Sequence, residues 1–115
     1  MENQQPPLLY DLTRLTNLAA NNMDFVKKMT RLFLNQSPID LEELRNAADT
    51  GNIKKIKEVA HRMKPSIDNM GISTLYTVIR EIELFAGTAI TEKLRENLTL
   101  TENTLHQVFL QLQEE

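Results

Sequence analysis

The chain has 115 residues, no cysteine, no tryptophan and a formal net charge of −3. This length suffices for one domain with its own core, and a chain without cysteine fits a reducing compartment, so we expect a single cytoplasmic domain. Scattered basic residues, few aromatic residues and the lack of an apolar run near ~20 residues argue against nucleic-acid binding and membrane insertion.

The first ten residues are expected to be a flexible lead-in. Pro6 and Pro7 oppose regular structure there, and a single domain is predicted over residues 11–115. A short first helix is predicted to begin at Asp11, whose side chain can serve as its N-cap. Three leucines are predicted to lie on its buried side: Leu12, Leu15 and Leu18.

The second and third predicted helices each contain a proline. The second covers about residues 23–48, and one bent helix is favoured because the apolar pattern nearly keeps its phase across Pro38. Its apolar residues are Phe25, Met29, Leu32, Phe33, Leu41 and Leu44. The third covers about residues 52–70, with Gly71 as its C-terminal stop. Its apolar residues recur at helical spacing: Ile53, Ile56, Ala60, Met63, Ile67 and Met70.

Two further helices complete the prediction. The fourth covers about residues 74–86, with Ser73 as its cap and Gly87 as its stop. Its inward-facing residues are Leu75, Val78, Ile79, Ile82 and Phe85. The fifth covers about residues 91–113 and buries Leu94, Leu98, Leu105, Val108 and Leu112 around Thr101. The pattern predicts an all-α fold, namely an antiparallel up-down four-helix bundle with a short additional N-terminal helix.

His61 is the residue whose surroundings suggest chemistry. On a helical projection of about 100° per residue, it lies about 130° from the centre of the apolar stripe, so its ring should face solvent. Lys64 is close enough to reach a group attached to that ring. Pro65 removes the N–H that would bond the His61 carbonyl, which predicts a kinked but continuous helix. The alternative is a break at Lys64 and a new helix from Pro65.

The stretch AHRMKPSIDNMG at residues 60–71 resembles the phosphoacceptor motif of histidine-containing phosphotransfer (HPt) domains. That motif is typically A-H-x-[apolar]-K-G-[small]-x5-G. The matching positions are Ala60, His61, Met63, Lys64, Ser66 and Gly71. The resemblance covers most of the chain, because YDLTRL, RLFLNQSPIDLEELRNAADTGN and IKKIKEVAH are also similar to that family.

This resemblance implies a phosphorelay intermediate of two-component signalling. His61 would accept a phosphoryl group from a receiver-domain aspartate and pass it to another receiver, and Lys64 would help to neutralise the phosphate. The implied partners are response-regulator receiver domains, a hybrid histidine kinase, or both. The receiver would bring Mg²⁺, and no cofactor or metal of the chain's own is expected. The candidate docking residues are Lys57, Arg62, Pro65 and Arg80.

Two positions depart from the family pattern. Pro65 stands where glycine is usual and fills space beside the histidine. Glu83 stands where many members carry a polar, often amide, side chain that faces the histidine. Because a carboxylate repels a phosphate, we expect Glu83 to point aside or the register to differ, with Arg80 as a possible helper one turn earlier.

A non-catalytic helical adaptor that docks a receiver or another signalling partner is the alternative function. An enzyme is not expected, because the sequence has no cysteine and no GxGxxG or P-loop pattern for a nucleotide. His106 has no matching neighbours and is expected to be a solvated surface residue. A monomer is predicted.

Overall fold

The computed structural model describes residues 7–113, and over that range the chain forms helices and no strand. Its five α-helices are α1 (Thr13–Leu18), α2 (Met23–Asp49), α3 (Ile53–Asn69), α4 (Tyr76–Glu83) and α5 (Glu92–Gln113). The all-α prediction is confirmed. Residues 1–6 of the predicted flexible lead-in lie outside the described residues.

Four of the helices form a closed ring. The helix α2 packs against α3, α3 against α4, α4 against α5, and α5 against α2, while the short α1 contacts α2. The largest fully buried side chains come from α1, α3, α4, α5 and the segment before α4, and include Leu15, Ile56, Ile67, Ile79, Leu105 and Val108. Thr101 is also fully buried, and its hydroxyl donates a hydrogen bond to the Asn97 carbonyl at 2.9 Å, which satisfies it within the core.

Pro38 and Pro65 each lie inside an uninterrupted helix. The helix α2 continues through Pro38, and α3 continues through Pro65. The predicted continuity is confirmed, and the alternative break at Lys64 is wrong. Met63 and Ile67 flank Pro65 and are both buried, so core packing on either side of the proline keeps the two halves of α3 in one helical register.

The start of α4 differs from the prediction. Ser73 does not cap this helix with its side chain but opens a 3-10 turn, Ser73–Leu75, that leads into α4. The helix then ends at Glu83, with Leu84 as its C-cap, so Gly87 is not its stop. A short α4 has a consequence for the site, because its last residue lies beside α3.

The start of α1 is also shifted. The helix begins at Thr13 with Leu12 at the N-cap position. The predicted cap, Asp11, still accepts a hydrogen bond from the Thr13 N–H at 2.9 Å. Hydrogen bonding from Thr13 lowers the pKa of Asp11.

Gly71 is required by the backbone around it. Its φ is +63°, a left-handed conformation that favours glycine, and a Cβ there would lie 2.1 Å from the Asp11 carbonyl oxygen. Asp11 approaches so closely because its N–H donates to the Met70 carbonyl at 3.0 Å. The glycine of the motif therefore lets the segment before α1 pack against the end of α3.

Three predicted core residues face solvent instead. Leu18, Phe25 and Leu32 are all exposed, and Val26 is the buried residue at the start of α2. Phe25 and Leu32 share one side of α2 with the exposed Ile39, at intervals of seven residues. We call Phe25, Leu32 and Ile39 the α2 ridge. The ridge is about 21 Å long at about 1.5 Å per residue.

Candidate functional site

His61 lies on the solvent side of α3. Its side chain is 71% exposed, whereas the preceding Ala60 and the following Met63 are buried. The predicted outward direction of the ring is confirmed. Because its neighbours are fixed in the core, the backbone that carries the ring is held firmly while the ring remains accessible.

Glu83, the last residue of α4, joins His61 to Lys64. One carboxylate oxygen, Oε2, contacts His61 Nδ1, and the other, Oε1, lies 2.6 Å from Lys64 Nζ. The expectation that Glu83 points aside or lies out of register is wrong. The reason is that Lys64 supplies a positive charge, so a carboxylate is favourable at this position. Hydrogen bonds from Lys64 and then from His61 lower the pKa of Glu83, which keeps it ionised at neutral pH.

This contact determines which nitrogen of His61 can react. An ionised carboxylate can only accept hydrogen bonds, so the neutral ring carries its proton on Nδ1 and donates it to Glu83. Nε2 then holds the free lone pair. A carboxylate at Nδ1 also stabilises the positive ring that forms when Nε2 acts as a nucleophile.

Arg80 is held away from this contact by a different partner. Its Nη2 lies 2.7 Å from Asp68 Oδ2 and its Nη1 donates to the Tyr76 carbonyl at 3.0 Å. The guanidinium is thus occupied two turns of α3 beyond His61. Its suggested part as a helper at the histidine and its docking role remain predictions.

Arg62 connects α3 to α2. Its Nε and Nη2 donate to Asp40 Oδ1 at 3.2 and 2.9 Å, and Nη2 also donates to Glu43 Oε1 at 2.6 Å. Asp40 is buried and accepts a further hydrogen bond from Gln36 Nε2 at 3.0 Å. Although Arg62 adjoins His61 in sequence, its guanidinium is turned to the neighbouring helix, and its docking role stays a prediction.

Lys57 and Pro65 lie on either side of His61 along α3. Lys57 is half-buried and lines a shallow surface depression that also includes His61, Glu83 and Ile53. Pro65 is exposed. Beyond it lies a groove, which we call the α2–α3 groove, lined by Leu15, Met29, Leu32, Phe33, Gln36, Ser66, Asn69 and Met70.

Among residues 7–113, no group of three or more His, Cys, Asp or Glu side chains is placed to hold a metal ion. In the same part of the chain, no helix is both long and apolar enough to cross a membrane.

Two contacts of the candidate site residues were not predicted from the sequence, those of Glu83 with Lys64 and of Asp40 with Arg62. A signal for the second was present, because Asp40 is an acid at helical spacing from the buried Leu44 and so needs a cationic partner. The first had no local signal, since it depends on how α4 lies against α3.

The described residues thus form a ring of packed helices that presents an exposed histidine beside a lysine and a carboxylate. The model of the family described as the Hpt domain matches residues 28–115, which is more than half of the chain. The chain therefore belongs to the HPt domain family, whose members are phosphocarrier modules of two-component signalling. No curated protein and no solved structure matches the chain.

Proposed function

We propose that this protein is a phosphorelay intermediate in which His61 Nε2 accepts a phosphoryl group from a receiver-domain aspartate and passes it to a second receiver. The observation that carries this proposal is the double contact of Glu83 with His61 Nδ1 and Lys64 Nζ. It combines an exposed nucleophile of defined tautomer with a nearby positive charge, which are the positioning and charge neutralisation that phosphoryl transfer needs.

Phosphoryl transfer replaces one bond to phosphorus with another. The Nε2 lone pair of His61 attacks the phosphorus of the aspartyl phosphate, the bond from phosphorus to the aspartate oxygen breaks, and the aspartate leaves as a carboxylate. The ring becomes an N-phosphoryl imidazolium. Its Nδ1–H still donates a hydrogen bond to Glu83, and Lys64 neutralises the charge of the phosphoryl oxygens. A second receiver's aspartate then reverses these bond changes. The receiver supplies Mg²⁺, and the chain itself acts as a carrier without an ATP site.

The receiver docks over the face that contains His61, Pro65, the α2–α3 groove and the α2 ridge. Support comes from the exposed Leu32 of the ridge, which lines the groove together with Ser66, the residue that follows Pro65. The ridge is a single row of three side chains, too small by itself for the roughly 800 Å² per partner of a stable interface. It therefore suits a transient partner, and we propose a monomeric, cytoplasmic protein.

The helices run alternately up and down. Two cross-helix pairs support this order for α3 and α4, because His61 meets Glu83 while Asp68, further along α3, meets the earlier residue Arg80. Residue numbers that rise along one helix while they fall along its neighbour are typical of an antiparallel pair.

The test is to mix the protein with a receiver domain phosphorylated on its aspartate and to look for acid-labile phosphate on this chain. His61→Gln is expected to abolish labelling without changing the helical circular dichroism. His106→Gln, a matched change of the other histidine, is expected to leave labelling intact. Labelling that survives His61→Gln, or that depends on His106, would refute the assignment.

The alternative is a non-catalytic adaptor that binds a receiver without taking phosphate. The exposed Pro65, where the family usually has glycine, is the observation that favours it, because the ring narrows the approach to His61. A receiver that binds tightly to this chain but never labels it would support the adaptor.

A further inference from the structure

In the unphosphorylated site, Lys64 is already paired with Glu83. Its ammonium lies 2.6 Å from Glu83 Oε1, and both side chains are partly shielded from solvent. A phosphoryl group on His61 would need the same ammonium. The carboxylate of Glu83 and an incoming phosphoryl group are therefore competitors for one positive charge.

We propose that Lys64 is an exchanged counterion, bound by Glu83 while His61 is free and transferred to the phosphoryl group when His61 is phosphorylated. This inference rests on the proposed function in that His61 is the phosphoacceptor. Its consequence is that Glu83 limits how strongly Lys64 supports the phosphorylated state.

Charge favours the exchange. A phosphoryl group carries about −1.5 to −2 at neutral pH, against −1 for a carboxylate, so it attracts the ammonium more strongly at equal distance. The flexible four-carbon stem of Lys64 lets the ammonium move while its backbone stays fixed in α3.

Glu83 is not left alone after the exchange. Phosphorylation at Nε2 makes the ring an imidazolium, and its Nδ1–H remains against Glu83 Oε2. Arg80, one turn earlier on α4, also lies close enough for its charge to interact with Glu83. The carboxylate therefore gives up one cation as another one forms beside it.

A double-mutant cycle tests the exchange with four proteins: wild type, Lys64→Gln, Glu83→Gln and the double variant. Glutamine at position 83 keeps an oxygen that can accept from Nδ1 but has no charge to compete for Lys64. Phosphoramidate is the phosphoryl donor. Its P–N bond breaks, the bond from His61 Nε2 to phosphorus forms, and ammonia leaves, so no receiver is involved. The phosphorylated fraction at fixed phosphoramidate and ammonia concentrations is measured by ³¹P NMR.

Lys64→Gln is expected to lower the phosphorylation equilibrium by about threefold when Glu83 is present and by about tenfold when position 83 is glutamine, as for charge pairs of moderate strength. Lys27→Gln, which changes an exposed lysine of α2 outside the depression around His61, is the control and should have the same effect in both backgrounds. A Lys64→Gln effect that is equal in both backgrounds, or smaller with glutamine, would overturn the exchange, as would a lack of phosphate on His61.

A spectroscopic readout separates exchange from a merely structural role. Loading wild type with phosphate should shift the ¹⁵N resonance of the Lys64 ammonium, and an unchanged resonance would count against the proposal. Because phosphoramidate needs no partner, the result is independent of the receiver experiment. Failure of receiver transfer alone would refute the proposed relay, whereas failure of the cycle alone would refute the exchange.

Discussion

Arg62→Ala is expected to destabilise the fold because of the acid that it leaves behind. The Asp40 side chain is 5% exposed and receives two hydrogen bonds from an Arg62 side chain that is 45% exposed. After the substitution, Asp40 keeps the Gln36 amide at 3.0 Å. The change therefore removes the positive charge that compensates a buried carboxylate.

The expected loss of stability follows from the burial of Asp40 and Arg62. Removing one member of a fully buried ion pair costs about 3–5 kcal/mol. Since Arg62 is nearly half exposed, water can enter its place and solvate part of Asp40, which reduces the expected loss to about 2 kcal/mol. For a domain of this length we expect the melting temperature to fall by about 8 °C.

Thermal and urea unfolding followed by circular dichroism measure this loss. The control is Arg45→Ala, because the Arg45 side chain is 60% exposed in its pair with Glu102 and should contribute no more than about 1 kcal/mol. Adding Asp40→Leu to Arg62→Ala removes the buried charge and should restore much of the stability. If Arg62→Ala and Arg45→Ala unfold at the same urea concentration, the argument about the buried carboxylate is wrong.

Three further predictions concern backbone, docking and pH. Gly71→Ala is expected to lower the free energy of unfolding in urea by at least about 2 kcal/mol, and Gly51→Ala by only about 1 kcal/mol. Both glycines have a positive φ, but a Cβ at position 51 meets nothing within 4 Å. Equal losses would contradict this reasoning. Leu32→Ser is expected to raise the receiver concentration for half-maximal transfer several-fold, while the free energy of unfolding changes by about 0.5 kcal/mol or less. The control is Leu100→Ser, which changes an exposed leucine of α5. Equal effects of the two substitutions would argue against docking at the α2 ridge. Because the pKa of Glu83 is lowered, its stabilising contact is fully present at pH values above the ordinary glutamate pKa and is lost as the pH falls through the lowered pKa. A ¹³C titration of the Glu83 carboxylate that gives a pKa at or above the ordinary glutamate value would refute this.

Helix positions were largely predictable from the sequence. The predicted α2, α3 and α5 agree with the structure to within one or two residues, because each carries a long apolar repeat whose burial requires a helix. The same repeat located the outward direction of His61. Predictions based on single capping residues were less accurate, as Ser73 and Gly87 show, because a 3-10 turn and a short α4 satisfy the chain in another way.

The exposed residues of α2 show a second limit. Leu32 is apolar and lies at core spacing, and the sequence predicts that it is buried. A helical repeat specifies which side of a helix is apolar, but it cannot specify how much of that side a neighbour covers. Here α1 packs against α2, yet Phe25, Leu32 and Ile39 stay exposed.

The sequence by itself determined that the chain is helical, where its long helices lie, and that His61 faces outward with Lys64 one turn away. These properties depend on residue spacing along one helix. The tertiary structure decided what those two side chains contact, because Glu83 belongs to another helix and its direction depends on the packing of α4 against α3. Local periodicity carries no information about that packing, and for this reason the carboxylate between histidine and lysine was visible only in the folded chain.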